Sequence, residues 1–256
     1  LQVFDVISAD RQQVRQGEAD VFVDWLPEQV TLADGEQVAL RRPKVRVDSL
    51  SFGPLGDDVL TSLRNAPSIF GLGYLESVSE ADILQIAAAQ KAVGLNGRPN
   101  YVRDDVQQRM SLGRFGWKAN QPGVRQQIAA ALLNDMGITS SLYPKQNCPP
   151  VQTYCKKAPP GDTAELFADE FDDLTFWVQA LDAPPRRDPD RAEIRHGEKL
   201  FEQSRCAQCH LPQMKTGAGT PFPALAGRVF HPYTDLLLHD MGPGLADGRP
   251  DFRAGA

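Results

Sequence analysis

The five residues Cys206-Ala207-Gln208-Cys209-His210 constrain this chain more than any other stretch of it. The pattern C-x-x-C-H is the attachment signal for a c-type haem: each cysteine sulfur adds to one haem vinyl group, and the histidine that follows is placed to ligate iron from the proximal face. A bare C-x-x-C also suits zinc, an iron-sulfur centre or a dithiol redox pair, and the adjacent histidine narrows the choice. The residues upstream agree with a haem. Asp190 and Glu193 have the spacing of a capping box, and Ile194, Gly197, Leu200 and Phe201 recur on one side of the helix this predicts. That helix runs into the signal, with Phe201 a natural packing neighbour for a porphyrin.

At 256 residues and 28.1 kDa the chain has length for one large domain or two small ones. Its 20 prolines and 21 glycines argue for turn-rich connections between short helices. The formal charge is -6, and no basic run alternates with aromatics, which speaks against a nucleic-acid partner. No apolar stretch approaches the ~20 residues that span a bilayer, so no transmembrane segment is expected in this chain. Covalent haem attachment points to a protein outside the cytoplasm. There disulfides persist, and Cys148 and Cys155 are expected to close a small loop.

Along the chain, Val21 to Trp25 and Gln37 to Leu40, separated by Asp34-Gly35, read as an irregular hairpin. Ser79 caps a helix with Ile83, Leu84, Ile86 and Ala87 on its apolar side. A second helix follows Pro122, carries Val124, Ile128, Ala131 and Leu132, and stops at Gly137. A third covers Thr163 to Leu181, with Leu166, Phe167, Phe171, Leu174, Val178 and Leu181 inward and a solvated acidic face. Pro184-Pro185 ends it, and residues 183–190 read as a domain junction.

The sixth iron position has four downstream candidates: Met214, His231, His239 and Met241. Met214 is too close in sequence to His210 to reach the opposite haem face readily. His239 and Met241 have better separation, with Met241 preferred; His231 ranks behind them, and His196 reads as a surface residue. Methionine there favours the reduced state, histidine lowers the potential, and an open site admits peroxide. Gly113-Arg114-Phe115-Gly116-Trp117-Lys118-Ala119 joins glycines, aromatics and cations, and Arg114 is placed to grip a propionate through charge-assisted hydrogen bonds. Glu76 and Glu80 are candidate distal acids for peroxide chemistry, although solvent exposure is the ordinary role of each.

Six segments resemble the di-haem oxidoreductase family, also called thiol oxidoreductase-like and related to bacterial di-haem cytochrome c peroxidases and the MauG group. They are Ser62 to Pro67, Gly71 to Glu76, Gly113 to Ala119, Asp135 to Ser140, the C-x-x-C-H signal, and Leu236 to Gly242. The resemblance implies a mainly α fold of cytochrome c-like helical domains with long irregular loops. Residues 1–183 then form an N-terminal cytochrome c-like domain without its own haem signal, and residues 184–256 a haem-binding one. It further implies Trp117 as a relay between haems, two c-type haems in an intact protein of which one attaches here, a small periplasmic redox protein as electron donor, and peroxide as substrate. A first C-x-x-C-H and a carboxyl-terminal continuation are not in these residues, so the expectation is a piece of a longer chain. A non-enzymatic electron-transfer module and a structural zinc-binding domain stay open as alternatives.

Overall fold

The computed structural model describes residues 6–7, 14–15, 19–54, 62–148, 152–157, 164–220, 222–242 and 245. A short pair, β1 (Val6–Ile7) with β2 (Val14–Arg15), precedes a long antiparallel hairpin of two twelve-residue strands, β3 (Asp20–Thr31) and β4 (Gln37–Asp48). The hairpin expected there exists, and its pairing is longer and more regular than the pattern suggested. Asp34-Gly35 turns it: Gly35 sits at φ 89°, where only glycine is free of strain, and the Asp34 carboxylate accepts from Glu36 N at 3.0 Å. Trp25 and Phe22 are exposed, each under an arginine, Arg41 at 4.7 Å and Arg46 at 4.5 Å.

The remaining elements are α1 (Leu72–Glu76), α2 (Glu80–Ala92), β5 (Tyr101–Asp104), β6 (Arg109–Leu112), α3 (Val124–Ala131), α4 (Thr153–Lys157), α5 (Ala168–Ala180), α6 (Ala192–Gln203), β7 (Met214–Lys215) and β8 (Val229–Phe230). Strand β5 pairs with β6 and β7 with β8, both antiparallel. The described residues are therefore mixed α/β, and the mainly α expectation is corrected: six helices share the chain with four two-stranded sheets. The reason is local. An antiparallel pair needs only a short turn, such as the one where Asp104 Oδ1 accepts from Gln107 N at 2.7 Å, and strands of two to four residues leave almost no periodicity to read.

Helix α2 begins as its sequence dictates, with Ser79 Oγ accepting from Asp82 N at 3.1 Å and Ile83 turned fully inward. Helix α3 passes into a π-helical turn, Leu132–Met136, which Gly137 ends at φ 70°. Helix α5 is shorter than expected and leaves Phe167 outside as its N-cap, while Phe171 and Val178 are buried. Helices α1 and α5 cross at Gly73, where a Cβ would lie 2.0 Å from Gln179 O.

Two apolar clusters hold these pieces. Phe115, Val124 and Val178 form one, with Leu72, Leu75, Ile128 and Leu174 against it. The other joins Val78, Ile83 and Leu112 to Met214, Phe230, Leu236 and Leu237, so segments on both sides of residues 183–190 share it. Helix α6 is different: it starts at Arg191 rather than at the expected Asp190 cap, and none of its residues is buried. Ile194 and Leu200 on its apolar side remain exposed.

Candidate functional site

The attachment signal is a tight turn at the end of α6. Arg205 takes a left-handed conformation at φ 61°, Cys206–Gln208 form one 3-10 turn, and His210 N donates to Cys206 O at 2.9 Å. Cys206 and Cys209 are free thiols, whereas Cys148 and Cys155 are disulfide-bonded with Cα atoms 5.7 Å apart. His210 Nδ1 lies 3.1 Å from Tyr233 O. A carbonyl only accepts, so Nδ1 carries the hydrogen and Nε2 presents its lone pair. Tyr233 itself sits at φ 51°, an uncommon conformation that aims this carbonyl. Phe201 braces the arrangement, 6.4 Å from the His210 ring and edge-on to Tyr233 at 5.6 Å. A cleft of about 200 Å³ opens beside them, lined in part by Gly197, Phe201, Pro212 and Tyr233.

A second cluster engages Cys209. Its Sγ lies 3.8 Å from His239 Nδ1, and the other nitrogen of that ring, Nε2, lies 2.7 Å from Asp235 Oδ2. Asp235 is buried; its Oδ2 also accepts from Gln90 Nε2 at 2.7 Å, and its Oδ1 accepts from Leu237 N at 3.0 Å. Gln90 Nε2 further donates to Gln208 O at 2.8 Å, which ties α2 to the attachment turn. Burial, and after it the negative charge of Asp235, hold the Cys209 thiol pKa above its ordinary value. Gly97 makes the close packing possible, since a Cβ there would meet Gln90 Oε1 at 1.9 Å and His239 Cε1 at 2.9 Å. Asp235, Gln90 and Tyr233 escaped the sequence reading. The D-x-x-x-H spacing of Asp235 and His239 was the one available signal.

The other candidates are placed as follows. Met241 is exposed, and Met214 is buried in the shared apolar cluster. His231 Nδ1 lies 2.8 Å from Pro212 O, and His196 is exposed on α6. Arg114 is largely buried with Nη1 lacking a hydrogen-bond partner; burial lowers its pKa, against the opposing pull of Glu76 and Glu80. Glu76 Oε1 accepts from Val124 N at 2.8 Å and Oε2 from Gln179 Nε2 at 2.5 Å, so both oxygens serve the start of α3 and the α1–α5 contact. Glu80 Oε1 accepts from Tyr101 OH at 2.6 Å. Trp117 is half exposed beneath the Arg64 guanidinium, 5.8 Å from its ring centroid. The structure thus joins His210 to Phe201 and Cys209 to His239, and Arg114 feels the charges of Glu76 and Glu80 without an ion pair to either among the described residues.

Residues 2–256 match a family described as di-haem oxidoreductase, putative peroxidase. The chain belongs to that di-haem oxidoreductase family. No curated protein and no solved structure matches it. The donor set fits the haem that the family implies: two unbonded thiols and one imidazole with a free Nε2 share a single turn, next to a helix whose Ile194 and Leu200 stay exposed. A zinc site fits less well. The three candidate ligand atoms of Cys209, Asp235 and His239 lie within 4.8 Å of one another, but the imidazole stands between thiol and carboxylate with one nitrogen toward each. One cation cannot take both nitrogens of the same ring.

Proposed function

We propose that this chain is the part of a periplasmic di-haem oxidoreductase that carries one c-type haem, attached through Cys206 and Cys209 and ligated by His210. The observation that carries the reading is the Nδ1 bond from His210 to Tyr233 O, which fixes the ring with Nε2 free beside two unbonded thiols. When bound, the haem supplies one-electron redox chemistry and, with an open iron position, reduction of peroxide. The protein's own contribution is to fix the imidazole, present two thiols that take no part in the Cys148–Cys155 disulfide, and offer the apolar side of α6 as a covering surface. Arg114, with an unpartnered buried guanidinium nitrogen, is the group suited to a propionate. Proton transfer from Glu76 requires giving up one of the two hydrogen bonds it now accepts. A small redox protein is the electron donor in this reading. Trp117 would be the relay toward a second haem, and Met241 would complete the coordination, since both nitrogens of His239 are engaged by Asp235 and Cys209.

The test is production in a host with c-type haem maturation machinery. A Soret band, a pyridine haemochrome spectrum and haem mass that stays with the denatured polypeptide are expected, and His210→Ala is expected to lose proximal ligation. Stoichiometric zinc with no covalent haem overturns the reading. Peroxide added to the loaded protein decides between catalysis and electron transfer alone: six-coordinate low-spin iron with no peroxide turnover leaves only the latter.

A further inference from the structure

We propose that His239, held by Asp235 and Gln90, is the positioning residue for the Cys209 thioether, so that the two cysteines of the signal are prepared by different parts of the chain. The inference rests on the haem-attachment reading above. Among the described residues Cys206 Sγ meets Ser204 O of its own turn, at 4.0 Å, whereas Cys209 Sγ faces an imidazole thirty residues further on. Hydrogen positions in the cluster follow from its acceptors. Gln208 O can only accept, so the Gln90 atom bonded to it is the amide nitrogen, and the same nitrogen donates to Asp235 Oδ2. That carboxylate oxygen therefore receives a second hydrogen bond from His239 Nε2–H, and in the neutral ring Nδ1 is a lone pair aimed at Cys209. The thiol donates its hydrogen to Nδ1 and is held in one orientation, with the sulfur lone pairs turned elsewhere.

Two features of the backbone build this arrangement. Leu236 sits at φ 61°, a left-handed conformation rare for leucine, directly after Asp235. Gly97 leaves the space in which Gln90 and His239 meet. Attachment at Cys209 is an addition without net oxidation: a sulfur–carbon bond forms at one vinyl carbon, the vinyl π bond and the S–H bond break, and a hydrogen ends on the other vinyl carbon. The relay orders the thiol for that step and leaves Cys206 unaided.

The experiment compares wild-type, Asp235→Asn and His239→Leu proteins, each matured with haem as full chains. Asp235→Asn keeps size and shape. It replaces one acceptor oxygen by an NH₂ donor, so the three donors that converge on the carboxylate, Leu237 N, Gln90 Nε2 and His239 Nε2, are no longer all satisfied and the hold on the His239 ring is lost. The readouts are the α-band of the pyridine haemochrome, which reports a remaining vinyl, and alkylation of each cysteine mapped by peptide mass after denaturation. Both variants are expected to raise alkylatable Cys209 by about fivefold while Cys206 stays blocked. Equal loss at both cysteines, or two intact thioethers in Asp235→Asn, overturns the positioning role. Wild type without covalent haem overturns the attachment reading instead, and zinc bound stoichiometrically to the haem-free chain and lost in His239→Leu replaces the relay with a metal site.

Discussion

At Gly97 a single hydrogen in place of a methyl group decides whether three side chains meet. Its absent Cβ would overlap Gln90 Oε1 and crowd His239 Cε1 and Leu237 Cδ1 at 2.9 Å each, and Gln90 is tied to both Asp235 and Gln208. Gly97→Ala is expected to destabilise the haem-free chain by about 1–3 kcal/mol, the usual cost of overpacking. Gly219→Ala, where a Cβ meets nothing within 4 Å, is the control and should stay within about 0.5 kcal/mol. Denaturant titration of the three proteins checks both figures. The cysteines and His210 stand out in the sequence because the proposed covalent attachment needs them side by side. Gln90 does not, since its partners lie 118 and 145 residues away and a glutamine on an amphipathic helix carries no mark of its role.

Elements were legible in proportion to their length and to the strength of their period. Helices α2, α3 and α5 lay where apolar spacing put them, while β5, β6, β7 and β8 were too short to announce themselves and went unread. Helix α6 was read from an amphipathic pattern, and among the described residues that pattern is covered mainly at Phe201: Leu200 is 46% and Ile194 37% exposed. In the proposed function the haem is what covers these two residues. Leu200→Ser should therefore change the stability of the haem-free chain by no more than about 0.5 kcal/mol, as a surface substitution does. In maturation it should lower the yield of covalently loaded protein, measured as the ratio of Soret to protein absorbance. A loss of several kcal/mol in the haem-free chain would show that α6 packs against protein instead. The Cys148–Cys155 disulfide separates the cysteines in the same way: alkylation of denatured, unreduced haem-free chain should label Cys206 and Cys209 alone.

For the molecule as a whole, the sequence suggested a junction at residues 183–190, marked by prolines and charge; residues 181–190 hold neither helix nor strand. Composition marks where a chain bends and is silent on what it later packs against. Val78, Ile83 and Leu112 from before the junction share one apolar cluster with Met214, Phe230, Leu236 and Leu237 from after it. Gln90 and Gly217 add hydrogen bonds in the same direction, the latter donating its N–H to Ser77 O at 2.7 Å. A cluster shared in this way couples the stability of α2 to that of the attachment turn, because neither side buries its apolar surface without the other. Leu237→Ala removes a nearly buried side chain from the middle of it and is expected to cost about 2–5 kcal/mol. The informative measurement is hydrogen exchange resolved by peptide. If the cluster acts as one unit, protection falls together in α2, around Ile83, and in residues 206–240. Loss confined to residues 206–240, with α2 unchanged, would mean that the segments on the two sides of the junction unfold independently despite their contact.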